Sequence, residues 1–269
     1  MICPNCHAEI PDNCRFCTEC GAKLQPAESR ARQSAKAAAG AGLMLGQAAR
    51  QARLEASFDP DEIISDRAYN AVMIGVLLWG LLVNVFLCAY VGDVYRYVNP
   101  IVFLILYFVC AFAGIRIAAK SKSPLISFLG YNMVVVPFGL VISTMVDAYG
   151  GISSEVVRDA FFYTLMITLG MMAVEMVFPT FFEKIGKALL GCLIGLVICE
   201  LVLLIFRVQQ NVTDWIAAGI FSLYIAYDIH RSQQFAKTLD NAVDCALDIY
   251  LDIANLFIRL LEIMGRKKD

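Results

Sequence analysis

Three stretches of this chain carry no charged residue for long enough to cross a lipid bilayer, which limits its fold more than any other feature does. Ala71–Val91 runs for 21 residues, Val98–Ile115 for 18 and Pro124–Val146 for 23. About 20 apolar residues span a hydrocarbon core. Each stretch is therefore predicted to be a transmembrane helix. Composition points the same way: the 269 residues are 59% hydrophobic and 17% charged, with a mean hydropathy of +0.66. Soluble domains average about 45–50% apolar and about 25% charged. So much apolar character excludes a disordered chain, and a net charge of −2 leaves no basic footprint for nucleic acid.

The later apolar runs each contain acids. Ala160–Phe182 holds Glu175, Ala188–Phe206 holds Glu200, and Trp215–His230 holds Asp228. The last, Ala242–Met264, carries Asp244, Asp248, Asp252, Arg259 and Glu262. The expected fold is an all-α membrane protein, a seven-helix transmembrane bundle whose seventh helix is semi-polar. Lys and Arg concentrate in cytoplasmic loops. With the N-terminus inside, the inner loops hold seven of them: Arg116, Lys120, Lys122, Lys184, Lys187, Arg231 and Lys237. The outer loops hold Arg96, Arg158 and Arg207. Seven crossings then leave Arg266-Lys267-Lys268 outside, against the rule.

Ahead of these runs, residues 1–24 crowd five of the ten cysteines. Cys3/Cys6 and Cys17/Cys20 form two C-x-x-C knuckles with ten residues between them. Four thiolates close a tetrahedron around Zn²⁺, and a two-residue gap lets each knuckle wrap one side of the ion. So short a segment cannot build a core, so metal binding supplies its folding energy. The segment resembles the short zinc ribbons at the N-termini of many bacterial proteins. His7 stands where such ribbons usually have Gly, and Cys14 is a competing ligand because Cys14/Cys17 is also C-x-x-C. Zinc thiolates need a reducing compartment, so this end is expected to face the cytosol. The opening Met1-Ile2-Cys3-Pro4 lacks the basic and apolar regions of a secretory signal. Closed four-thiolate sites leave no position for catalysis, so the ribbon is expected to be structural or to bind a protein partner. Residues 25–66 read as a linker, Ala-rich and interrupted by Gly40, Gly42 and Gly46. The remaining cysteines, Cys88, Cys110, Cys192, Cys199 and Cys245, read as small buried hydrophobes.

Chemistry is expected where acids enter apolar helices. A charge at the bilayer centre costs about 2.5–3.5 kcal/mol on insertion scales. Asp244, Asp248 and Asp252 recur at steps of four and so share one helix face, which cannot look at lipid. Asp244 is expected to cap the helix start. Asp252, eight residues and about 12 Å further along, is deep. A short connection from His230 to Asn241 makes helices six and seven antiparallel neighbours, which lets Asp228 meet Asp252. Two carboxylates in a low-dielectric site share a proton and form a proton-sensitive switch. Carboxylate oxygens also suit Ca²⁺, and Asn255 offers a further oxygen.

The segments Gly219–Arg231 and Ala246–Gly265 resemble the Bax inhibitor-1 family of transmembrane proteins. The likeness rests on Tyr227-Asp228 late in helix six. It also rests on Ile249-Tyr250-Leu251-Asp252 followed by Asn255-Leu256-Phe257, with Ile for the family's Leu at the first position. It covers about residues 67–265. The resemblance implies six helices around a central seventh, and a pH-sensitive Ca²⁺ leak of the bacterial plasma membrane gated by the two acids. It also implies an Arg at the end of helix two that pairs with the helix-six acid and holds the closed state; the matching position is Arg116. Asp248 departs from the family pattern and makes the pair a potential triad. A regulatory or scaffold protein that binds a membrane protease or another partner is the second reading. An intramembrane aspartyl protease is the third, but its Gly-x-Gly-Asp motif is absent at both acids. The protein is expected not to be an enzyme.

Overall fold

A computed structural model of the chain describes residues 62–94, 97–121, 123–206 and 211–266, together with Cys6 and Cys20 as isolated positions. The chain divides into two units, Met1–Ala56 and Ser57–Asp269. Cys6 and Cys20 are exposed. Cys3, Cys14 and Cys17 lie outside the described residues, as does the linker as far as residue 61.

Among the described residues of the second unit every regular element is helical. The helices are α1 (Asp66–Tyr90), α2 (Pro100–Lys120), α3 (Pro124–Ala148), α4 (Glu155–Val177), α5 (Pro179–Ile205), α6 (Asn211–Ser232) and α7 (Leu239–Gly265). Four of them, α1, α3, α4 and the Val212–Ser232 part of α6, are long and apolar enough to cross a membrane; α2 contains a shorter apolar stretch, Ile105–Ile117.

Local chemistry sets the boundaries. Ser65 caps α1, its hydroxyl oxygen accepting from the Ala68 N–H at 3.3 Å, and Asp66 adds a carboxylate to the first turn. The expected Ala160–Phe182 run is two helices. It breaks at Phe178, and Pro179 opens α5. Proline disfavours helical backbone in the residue before it and is tolerated at a helix start, where its missing N–H costs nothing. Lys184 and Lys187 therefore sit in the first turns of α5 and not in a loop. Asp244 is not the cap of α7. The helix starts earlier, at Leu239, with Thr238 Oγ1 accepting from the Asn241 N–H at 3.2 Å.

The helices alternate direction. The α6–α7 turn meets the starts of α1 and α3: the Ile64 N–H donates to the Lys237 carbonyl at 2.8 Å, Tyr69 Oη donates to the Ser232 carbonyl at 3.0 Å, and Ser127 Oγ bonds Asp240. At the opposite end, α7 finishes beside Tyr149, which follows α3, and Asp214, in the first turn of α6. Its 27 residues extend about 40 Å at the standard rise, so α7 runs the length of the bundle. It packs against α1, α3, α4 and α6, while α2 leans on α3 and α5 on α6.

The outer surface is apolar. Leu82 and Phe86 of α1, Ile105 and Phe112 of α2, and Phe161 and Met176 of α4 are all exposed. Exposed apolar area on this scale suits lipid and not water. Cys192 and Cys199 are exposed on α5, contrary to the expectation of burial; Cys245 is buried, and Cys88 and Cys110 are partly so. Polar side chains turn inward. Asn84 and Tyr250 are mutually hydrogen-bonded between α1 and α7, Asn84 Nδ2 donating to Tyr250 Oη at 2.9 Å and Tyr250 Oη donating to Asn84 Oδ1 at 3.0 Å.

Candidate functional site

The site forms where the end of α6 meets the first half of α7. Asp228 and Arg231 are three apart on α6, and Asp248 and Asp252 four apart on α7, so each pair shares a helix face. Arg231 is 8% exposed. Its Nη2 lies 2.5 Å from Asp248 Oδ2 and its Nη1 3.4 Å from Asp228 Oδ1. The guanidinium also lies over the rings of Tyr227 at 5.7 Å and Phe235 at 5.5 Å. These contacts fix a planar cation in a largely dry place.

Asp252 is likewise 8% exposed. It lies close enough to Asp228, Asp248 and Arg231 to interact electrostatically with all three. Two carboxyls that meet can hydrogen-bond only with a proton on one of them. Asp252 Oδ2 is buried with no protein hydrogen-bond partner, and so is Arg231 Nε. Unsatisfied polar atoms at such a depth are uncommon and call for water, an ion or a second conformation. Three carboxyls face one guanidinium. With one proton on the pair the cluster carries one net negative charge; without it, two. The arrangement presents carboxylate oxygen beside a single guanidinium.

The structure brings Asp228, Asp248 and Asp252 together but leaves Arg116 apart. Arg116 is exposed on α2, and α2 packs on α3. The cation beside Asp228 is Arg231. Its signal in the sequence is the three-residue spacing from Asp228, obscured because Arg231 also reads as an inner-loop charge. Next to it, His230 Nδ1 lies 2.9 Å from Glu175 Oε1 at the end of α4.

A second charged cluster at the other end of α7 was not read from the sequence. Arg259 Nη2 lies 2.8 Å from Glu200 Oε1 on α5. Its Nη1 lies 2.9 Å from Asp214 Oδ1 on α6 and 3.5 Å from Glu262 Oε2. Asp214 also pairs with Arg266. Three helices supply these groups, so no single stretch of sequence displays them.

Comparison with known proteins finds matches for both parts of the chain. The model of the family described as inhibitor of apoptosis-promoting Bax1 matches residues 63–269, and that of a zinc-ribbon domain matches residues 2–24. An uncharacterized protein of Helicobacter pylori is 39% identical over 89 residues, 32% of this chain and 37% of its own length. An uncharacterized protein of Borreliella burgdorferi is 25% identical over 236 residues, 78% of this chain and 97% of its own. An uncharacterized membrane protein of Streptococcus pyogenes is 30% identical over 178 residues, 63% of this chain and 74% of its own.

Proposed function

The chain belongs to the Bax inhibitor-1 family of membrane proteins, and from that premise we propose that it is a pH-sensitive calcium leak of the membrane, gated by Asp228 and Asp252. The observation that carries this reading is the orphaned, buried Asp252 Oδ2 beside a carboxyl–carboxyl contact. A proton on the pair removes one of its two charges. Loss of that proton leaves adjacent like charges, which repel each other in a low dielectric and attract a divalent cation. Arg231, held between Asp228 and Asp248, is the counter-charge of the closed state in place of Arg116. Once the proton leaves, Asp252 competes for that guanidinium, or a cation takes the free oxygens. This mechanism uses seven crossings, with α7 as the inner wall of the path and the α6–α7 turn on the cytoplasmic side of a bacterial plasma membrane.

The ribbon is the cytoplasmic appendage of this channel. Cys3, Cys6, Cys17 and Cys20 form a four-thiolate donor set that fits one tetrahedral Zn²⁺. Bound there, the ion supplies folding energy. A second reading, a regulatory membrane protein that docks a partner, is favoured by the ribbon itself, because transport does not need one. Flux separates the two. Purified full-length protein in liposomes loaded with a Ca²⁺ dye should leak Ca²⁺ at a rate that changes steeply with pH near neutrality. No flux above empty liposomes at any pH from 5 to 9 would leave the regulatory reading.

A further inference from the structure

We propose that Arg259 is a second gate for cations, at the end of α7 opposite the aspartate pair. The inference rests on the leak reading and deepens it. It starts from a stripe. Asp248, Asp252, Asn255, Arg259, Glu262 and Arg266 follow one another at steps of four, three, four, three and four, which average to one helical turn. They span 18 helical steps, about 27 Å, close to the thickness of a hydrocarbon core. Between these positions α7 is apolar, and Ile253, Ala254, Leu256, Leu260, Leu261 and Ile263 are all at or below 8% exposure. The stripe is the part of α7 that a hydrated ion tolerates.

Along that stripe Arg259 is the one full positive charge between Asp252 and the helix end. It stands seven residues beyond Asp252, about 10 Å on. It is 17% exposed and tied to three carboxylates, from α5, from α6 and from its own helix. A cation leaving the aspartate pair meets carboxylates whose oxygens this guanidinium already occupies, and so finds no ligand there until it displaces Arg259. The same three carboxylates, Glu200, Asp214 and Glu262, are hard oxygen donors that a divalent ion can take from Arg259. The gate opens when the arriving cation exchanges with the guanidinium for them. Arg266, also on Asp214, keeps one acid occupied and limits how long an ion is held.

The test is Ca²⁺ flux in proteoliposomes of the full chain carrying Arg259→Gln, which keeps length and hydrogen bonding but loses the charge. Flux should rise by roughly tenfold or more, the scale on which a local charge changes ion entry. The pH midpoint should stay that of the wild type, because the aspartate pair is untouched. Arg259→Lys, which keeps the charge, should stay within about threefold of the wild type. A purely packing role would impair both variants alike. Glu200→Gln removes one anchor and should raise flux by a smaller factor; it also serves if Arg259→Gln fails to fold. Wild-type flux with no increase in Arg259→Gln, or in Glu200→Gln where that variant stands in, overturns the gate and leaves the leak. Absence of wild-type flux overturns the leak, and the gate with it.

Discussion

Arg231→Gln isolates the energetic role of the buried guanidinium without any assumption about transport. Arg231 is 8% exposed and bonded to Asp248 at 2.5 Å and Asp228 at 3.4 Å. Removing one partner of a buried ion pair strands the other charge and costs about 3–5 kcal/mol. For a domain of this size that is a fall in Tm of roughly 6–20 °C. The sign with pH follows from the carboxyls. At high pH the stranded acids are unopposed, and the loss is full. At low pH a proton on the Asp228–Asp252 pair removes one of the charges left behind, and the loss shrinks. The assay is thermal unfolding in detergent at pH 5 and pH 8, followed by circular dichroism. Asp248→Asn in the same background should recover part of the loss, because it removes one of the acids left behind. A Tm within about 2 °C of the wild type at pH 8 would refute the reasoning, as would a larger loss at pH 5 than at pH 8.

Two further expectations concern the ribbon and the helix packing. Protein purified with reductant should contain one zinc per chain by metal analysis, Cys6→Ser should lose it, and deletion of residues 1–56 should leave the helical unit folded and membrane-inserted. A Cβ on Gly114 falls 2.6 Å from the Gly130 carbonyl oxygen; backbone cannot yield as a side chain can, so Gly114→Ala should push α2 from α3 and cost about 1–3 kcal/mol in the same thermal assay.

The helices were legible because charge-free runs of bilayer length have few other uses. Their ends were less so. Reading hydropathy through Phe178-Pro179 merged α4 with the start of α5, although the proline was in plain view. Starting the last helix at its first apolar run missed Thr238, whose hydroxyl oxygen caps it four residues ahead of Ala242. Asp228, Asp248 and Asp252 stood out because acids deep in apolar helices demand a reason. Arg231 did not, because a basic residue at a helix end also satisfies the positive-inside rule; only its burial between two aromatic rings separates the roles. The Arg259 cluster depends on α5, α6 and α7 converging, and spacing along one helix cannot reveal partners on two others.

The most direct measurement is the Ca²⁺ flux-versus-pH curve of Asp252→Asn against the wild type in proteoliposomes. Asn keeps the shape and a carbonyl oxygen but cannot share a proton with Asp228. The account predicts that the steep wild-type dependence near neutrality flattens, while thermal stability changes little. A variant curve that overlays the wild type, midpoint and slope alike, would contradict the aspartate pair as the proton-sensitive gate.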